Sequence, residues 1–254
     1  HLAARVGGVK GNSDYVSDFF YDNIAINTNL LNAAQRKSIP KVVSLLSTCV
    51  YPDKVSYPLT EDQVHNGKPH RSNFGYAHAK RMLDVQSRAI RCQYGLNYIT
   101  AIPNNLYGIN DNFDLENGHV LPAIIRKVYE AKTTGKPPTF WGSGRPLREF
   151  TYSDDIARAL LFLLENYEGE EPVNIGKGGE VSIWTVVRKI CNILEYKGEV
   201  IWDKSKPEGQ YRKPSSNENF LKICPDFKYT DIDAGLEKTC KWFLEKYPNL
   251  RGIV

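Results

Sequence analysis

Tyr76 and Lys80 stand four residues apart in Tyr76-Ala-His-Ala-Lys80. On a helix that spacing puts both on one face, one turn apart. An ammonium near a phenol favours the phenolate and lowers its pKa, which makes the tyrosine a usable acid or base near neutral pH. Taken alone, the pair has a plain alternative: a surface tyrosine lying on a lysine stem. Ser47 and Thr48 supply the context it lacks. They come directly after the apolar run at 41–46 (KVVSLL), which has the character of a buried parallel strand. The carboxyl ends of such strands are where α/β sheets place their ligands.

The elements that must hold these groups alternate along the first hundred residues. Residues 14–37 read as a long helix, with Phe19, Phe20, Ile24, Leu30 and Leu31 forming its apolar face. Ser38-Ile39-Pro40 breaks it ahead of the strand at 41–46. Residues 51–72, rich in Pro, Asp, His and Gly, read as loop. A second helix covers 73–94 and closes at Gly95. A second strand covers 97–102 and ends at Pro103. Helix–strand alternation implies right-handed crossovers and a parallel sheet. Farther on, helices are expected near 119–134, 153–167, 182–195 and 231–247, with short strands near 138–141, 172–175 and 199–202. The expected fold is α/β: a doubly wound parallel sheet over 1–110, with part of 150–175 packing back on it, and a smaller α/β lobe over 111–254.

Composition narrows the classes. With 254 residues, of which 41% are hydrophobic and 24% charged, the chain can bury a sizeable core. No apolar run approaches the ~18 residues of a membrane-spanning helix. The net charge of +4 is too small to argue for nucleic acid and suits an anionic small substrate. The five cysteines are odd in number, widely spaced and without a C-x-x-C pair. Neither a metal site nor a disulfide framework is expected, and a reducing, cytoplasmic setting is.

The strand-end hydroxyl followed by Tyr-x-x-x-Lys resembles the short-chain dehydrogenase/reductase superfamily. Further words narrow the resemblance: HLAARVGG at 1–8, LLSTCVYP at 45–52, NFGYAHAKRM at 73–82, NNLYG at 104–108, DNFDLENGHVLPA at 111–123, FWGSGRPLREF at 140–150 and KPEGQYRK at 206–213. Together they resemble the GDP-L-fucose synthase family of GDP-4-keto-6-deoxy-mannose epimerase-reductases, from His1 nearly to the C-terminus. The Ser47-Thr48-Cys49 and Asp-Asn-Phe…Gly-His words are the specific ones.

The resemblance implies a Rossmann-like fold, NADP(H) as cofactor, a GDP-sugar as substrate and a homodimer formed through helices 14–37 and 76–94. It implies catalytic roles for Ser47, Cys49, Tyr76, Lys80 and His119. Cys49 and His119 would exchange the acidic protons on the carbons beside a ketone, which suits a thiol and an imidazole. Ser47 and Tyr76 would hold the enolate oxygen, and Tyr76 would protonate it during reduction. The implied cofactor wall comprises Ala3, Ala4, Leu45, Leu46, Ser47, Thr48, Lys80, Pro103, Asn104, Asn105, Leu106 and His119. Asn104 departs from the family pattern, which carries Thr. Lys127, Trp141, Arg148 and Glu208 match the nucleotide-sugar side, and Glu208 stands where the family often has Asp.

A dinucleotide-binding reductase opens with strand, Gly-rich turn and helix. No such turn occurs here. Val6-Gly7-Gly8 and Gly176-Lys177-Gly178-Gly179 do not follow a strand in the required way. The expectation is therefore a fragment, lacking about 60 residues at roughly 20–30 per βα unit. Such a chain made alone is expected to aggregate and to bind NADPH weakly, through a bared sheet edge. Two other readings remain. A related nucleotide-sugar epimerase or dehydratase would use Ser47, Tyr76 and Lys80 and leave Cys49 and His119 idle. A catalytically inactive binding or dimerisation subunit would need none of the five.

Overall fold

The computed structural model describes residues 1–206 and 210–253. In chain order the first elements are helices α1 (Val9–Asp14) and α2 (Val16–Arg36), strand β1 (Lys41–Leu45), helix α3 (Phe74–Tyr94), and strands β2 (Asn97–Ile102) and β3 (Asn105–Tyr107). Helix α4 (Val120–Thr134) and strands β4 (Thr139–Trp141), β5 (Leu147–Arg148) and β6 (Phe150–Tyr152) follow. Then come helix α5 (Ser153–Asn166), strands β7 (Val173–Asn174) and β8 (Val181–Ser182), helix α6 (Ile183–Ile193), strand β9 (Ile201–Asp203), and helices α7 (Glu218–Ile223) and α8 (Ile232–Lys246). No helix among the described residues is long and apolar enough to cross a membrane.

The chain forms two compact units. The first comprises His1–Asn104, Asp155–Lys177 and Ser215–Lys228; the second comprises Asn105–Asp154, Gly178–Pro214 and Tyr229–Val254. The divide expected near 110 thus falls at Asn104, and 215–228, expected in the second lobe, belongs to the first unit.

In the first unit β1, β2 and β7 make a parallel sheet with β2 in the middle. β1 runs against β2 from Lys41↔Asn97 to Leu45↔Ala101. Five of the six β2 residues are buried, as a strand covered on both faces requires. His1 pairs along the other edge of β1: its nitrogen donates to Val43 O at 2.7 Å and its carbonyl accepts from Leu45 N at 3.0 Å. Helix α3 joins β1 to β2 and ends at Gly95, whose φ of 69° lets its N–H return to Arg91 O. Leu31, Leu46, Val50, Tyr51, Leu83, Tyr98 and Ile102 build the core between the helices and the sheet.

The buried stripe of α2 differs from the expected apolar face. It is Phe19, Asn23, Asn27 and Leu31, while Phe20 is 42% exposed. The two asparagines stay buried because their amides are bonded. Asn23 donates to Phe19 O and Arg5 O, and Asn27 Oδ1 accepts from His1 Nε2 at 2.9 Å. Apolarity therefore found Phe19 and Leu31, wrongly included Phe20, and missed the two asparagines between them.

The second unit is built from short strand pairs: β3 with β6 and β4 with β9, both parallel, and β5 with β8, antiparallel. Its core is aromatic and aliphatic, with Tyr107, Phe113, Ile125, Phe150, Ile190, Leu236 and Phe243 among its members. β3, β5, β6 and β8 were not legible beforehand; at two or three residues each they show no periodicity.

Candidate active site

In the first unit the chemistry gathers where β1 ends. Beyond Leu45 the chain stays extended through Ser47 (φ −161°, ψ 152°) and tightens into a 3-10 turn at Thr48–Val50. Ser47 Oγ caps that turn, accepting from Cys49 N at 3.4 Å. Helix α3 brings Tyr76 and Lys80 to the same place. The Lys80 ammonium lies 5.9 Å from the Tyr76 ring centroid and donates to Leu45 O at 2.8 Å. Lys80 is 3% exposed. Tyr76, Ser47, Thr48 and Cys49 are half-buried, and Leu46 is buried.

Electrostatics here departs from the expectation drawn from spacing. Burial, with the Cys49 sulfur as a second cause, pushes the Tyr76 phenol above its ordinary value. Burial lowers Lys80 to about 8, and Cys49 partly opposes that. Lys80 was expected to draw the phenol down. Desolvation penalises the charged form of both groups and outweighs their attraction. At neutral pH the unliganded site therefore holds a phenol, a donor, beside an ammonium.

Other expected cofactor residues of the first unit lie nearby in sequence. Ala3 is exposed and Ala4 half-buried, just after the His1 pairing on β1. Pro103 and Asn104 are buried after β2, and Asn104 Nδ2 donates to Lys177 O at 2.8 Å. A Cβ on Gly176 would lie 2.4 Å from the Asn104 amide, so a larger residue there would displace that amide.

The second unit holds the remaining residues. Asn105, exposed on β3, donates to Glu149 O at 2.8 Å; Leu106 is half-buried on the same strand. His119 is exposed at the N-cap of α4, and its ring makes no cap hydrogen bond. It acts electrostatically on Asp111, whose carboxyl is raised chiefly by burial. Lys127 on α4 donates to Thr139 O at 2.9 Å and lies 5.5 Å over the Phe140 ring. Burial lowers its pKa, with Glu130 opposing. Trp141 is 60% exposed, with the Lys206 ammonium 6.0 Å from its ring. Arg148 is half-buried on β5, and its Nη1 donates to Leu147 O at 2.6 Å. Glu208 lies outside the described residues.

Two residues of the first unit escaped sequence reasoning. A Cβ on Gly75 would lie 2.3 Å from Val16 O, so glycine is what lets α3 approach the start of α2 beside Tyr76. Arg81 is buried next to Lys80 and bonded to Val50 O. Its signal, a second cation directly after the lysine, was present but reads as a solvated charge without knowledge of burial.

A strand-end hydroxyl with tyrosine and buried lysine on the following helix, over a parallel sheet, defines a reductase or epimerase of the short-chain class. The family model described as "NAD dependent epimerase/dehydratase family" matches residues 1–176, and the chain belongs to that family, among relatives named as GDP-L-fucose synthases. The chain is 44% identical over 253 residues to GDP-L-fucose synthase of Dictyostelium discoideum, covering 99% of this chain and 79% of that protein. It is 35% identical to GDP-L-fucose synthase of Escherichia coli (strain K12), covering 98% and 81%. The crystal structure of a GDP-L-fucose synthetase from Naegleria fowleri bound to NADP is 43% identical, with a TM-score of 0.93 over 99% of this chain and 77% of that one.

Proposed function

We propose that the protein this chain belongs to carries out the NADPH-dependent epimerisation and reduction of GDP-4-keto-6-deoxy-D-mannose to GDP-L-fucose. The observation that carries the reading is the gathering of Ser47, Cys49, Tyr76 and Lys80 at the carboxyl end of β1. The named relatives and the NADP-bound neighbour support it.

The residues present fit the cofactor. A lysine ammonium has three donors, and Lys80 gives one to Leu45 O. A buried ammonium with donors to spare suits the hydroxyls of a ribose. Ala3, Ala4, Leu45, Leu46, Thr48, Pro103, Asn104, Asn105 and Leu106 are its proposed wall, with His119. NADPH, when bound, supplies the hydride that reduces the ketone carbon, one per sugar.

The protein's own groups do the proton work. At each carbon beside the ketone a base removes the C–H proton, and the electron pair moves onto the ketone oxygen. Ser47 and the Tyr76 phenol donate hydrogen bonds to that oxygen. A proton then returns to the opposite face of the carbon, inverting it without net change in protonation. Cys49 and His119 are the proposed partners in that exchange. During reduction Tyr76 gives its phenol proton to the oxygen and regains one from water. Lys127 and Arg148 supply positive charge for the diphosphate, Trp141 a stacking face for the nucleotide sugar, and Glu208 a further contact.

The proposal includes a homodimer in the cytoplasm. Phe20 and Tyr21 on α2, with Phe74, Met82 and Val85 on α3, are large apolar side chains left 40–70% exposed. Two helices carrying such a face suit a four-helix contact between copies.

Product analysis tests the activity. The chain's protein with NADPH and GDP-4-keto-6-deoxy-D-mannose should yield GDP-L-fucose with one NADPH oxidised per sugar. Turnover of UDP-sugars instead, with the GDP-sugar untouched, would overturn the reading.

A further inference from the structure

Arg81 is 5% exposed and makes no ion pair with a carboxylate among the described residues. Its Nε donates to Val50 O and its Nη1 to Gly67 O, both at 2.6 Å. Its Nη2 is buried without a hydrogen-bond partner. A guanidinium taken out of water without a countercharge is costly, and such cations concentrate where a site uses the charge. Val50 is the residue next to Cys49 in the turn that begins at Ser47. Arg81 thus grips the turn from α3.

We propose that Arg81 is a positioning residue for Cys49: it fixes the Thr48–Val50 turn and places a permanent positive charge beside the thiol, holding Cys49 ready to ionise. This deepens the reading of Cys49 as an acid or base and rests on it. The electrostatics agrees. Burial lowers Arg81, and Cys49 is the group that opposes the shift. Coulombic coupling is mutual, so the cation favours the thiolate. The other groups acting on this cluster are Tyr76 and Lys80, coupled to Cys49, His78, coupled to Arg81, and the His1 amino group, coupled to Lys80. In the loop that follows the turn, His70 and Asp53 stand 3.9 Å apart.

The test is the pH dependence of Cys49 alkylation by iodoacetamide, followed on the Cys49 peptide by mass spectrometry, with solvent-deuterium exchange into the sugar read in parallel. Arg81→Gln should raise the alkylation midpoint by about one unit and slow alkylation at neutral pH about tenfold. Deuterium exchange should fall alongside and recover at higher pH, with KM for the GDP-sugar unchanged. A folded Arg81→Gln protein whose alkylation profile superimposes on the wild type would overturn the proposal. Should Arg81→Gln fail to fold, Lys80→Met decides, because Arg81 then remains beside Cys49 without Lys80. A midpoint still below the ordinary ~8.5 of a free thiol supports the proposal, and a return to that value or above overturns it. If Cys49→Ser leaves deuterium exchange intact, the acid–base reading of Cys49 fails. The alkylation profile still reports separately on Arg81.

Discussion

The Lys80 ammonium donates to the Leu45 carbonyl at 2.8 Å, so the helix that carries the tyrosine is tied directly to the strand end that carries the serine. Two segments distant in sequence are thereby held in register. The bond has a cost, since the ammonium is buried and its pKa falls to about 8.

That cost predicts a trade between stability and binding. Lys80 has a folded pKa below its unfolded value, so the unfolded chain binds the extra proton between about pH 8 and 10.5. Stability should rise with pH across that window as the buried charge is relieved. Lys80→Met should abolish the rise and stabilise the unliganded protein near pH 7 by about 2 kcal/mol, after losing one hydrogen bond. NADPH affinity should drop in the same variant. Urea unfolding across the pH range checks the first part and a cofactor titration the second; a less stable variant at pH 7 contradicts the argument.

Tyr76 should stay a phenol throughout the neutral range, because burial raises its pKa. Tyr76→Phe should slow hydride transfer by about 10²–10⁴-fold while NADPH affinity holds. Single-turnover NADPH oxidation measures this. A variant that reduces at the wild-type rate would remove Tyr76 from the proposed chemistry.

Epimerisation should separate from reduction. Cys49→Ser and His119→Gln should each slow deuterium exchange beside the ketone by about 10²–10⁴-fold. Mass spectrometry of the sugar after incubation in heavy water gives the answer, and full exchange in both variants would refute the two-residue assignment.

Gly75 predicts a purely steric effect. Its added Cβ would lie 2.3 Å from the Val16 carbonyl, a backbone atom that cannot swing aside. Gly75→Ala should destabilise by about 1–3 kcal/mol by forcing the helices apart, despite alanine's better helix propensity. Thermal unfolding decides the sign.

Met82 is 40% exposed on α3, within the apolar face proposed for the dimer. Met82→Glu should yield monomers by sedimentation velocity with the fold retained. A wild-type protein that sediments as a monomer would dispose of the dimer.

Much of the first unit is legible in advance. The strand at 97–102 has the expected bounds, and the helix at 74–94 starts one residue later than read. Both carry strong local signals: a continuous β-branched and apolar run, and a helical pattern closed by glycine. The 9–14 and 218–223 helices escaped, being too short to show a period. Half of the buried stripe of α2 escaped for another reason: Asn23 and Asn27 are polar by type and buried by partnership.

Residue types and spacings in the chain name the tyrosine, the lysine, the strand-end serine and the alternating α/β plan, because these follow from backbone periodicity and side-chain chemistry over a few neighbours. Packing settles the rest. It makes Tyr76 a retained phenol, turns Lys80 into a desolvated cation, and buries Arg81 against the Cys49 turn. Desolvation depends on every atom brought close in space, and most of those atoms lie far along the chain.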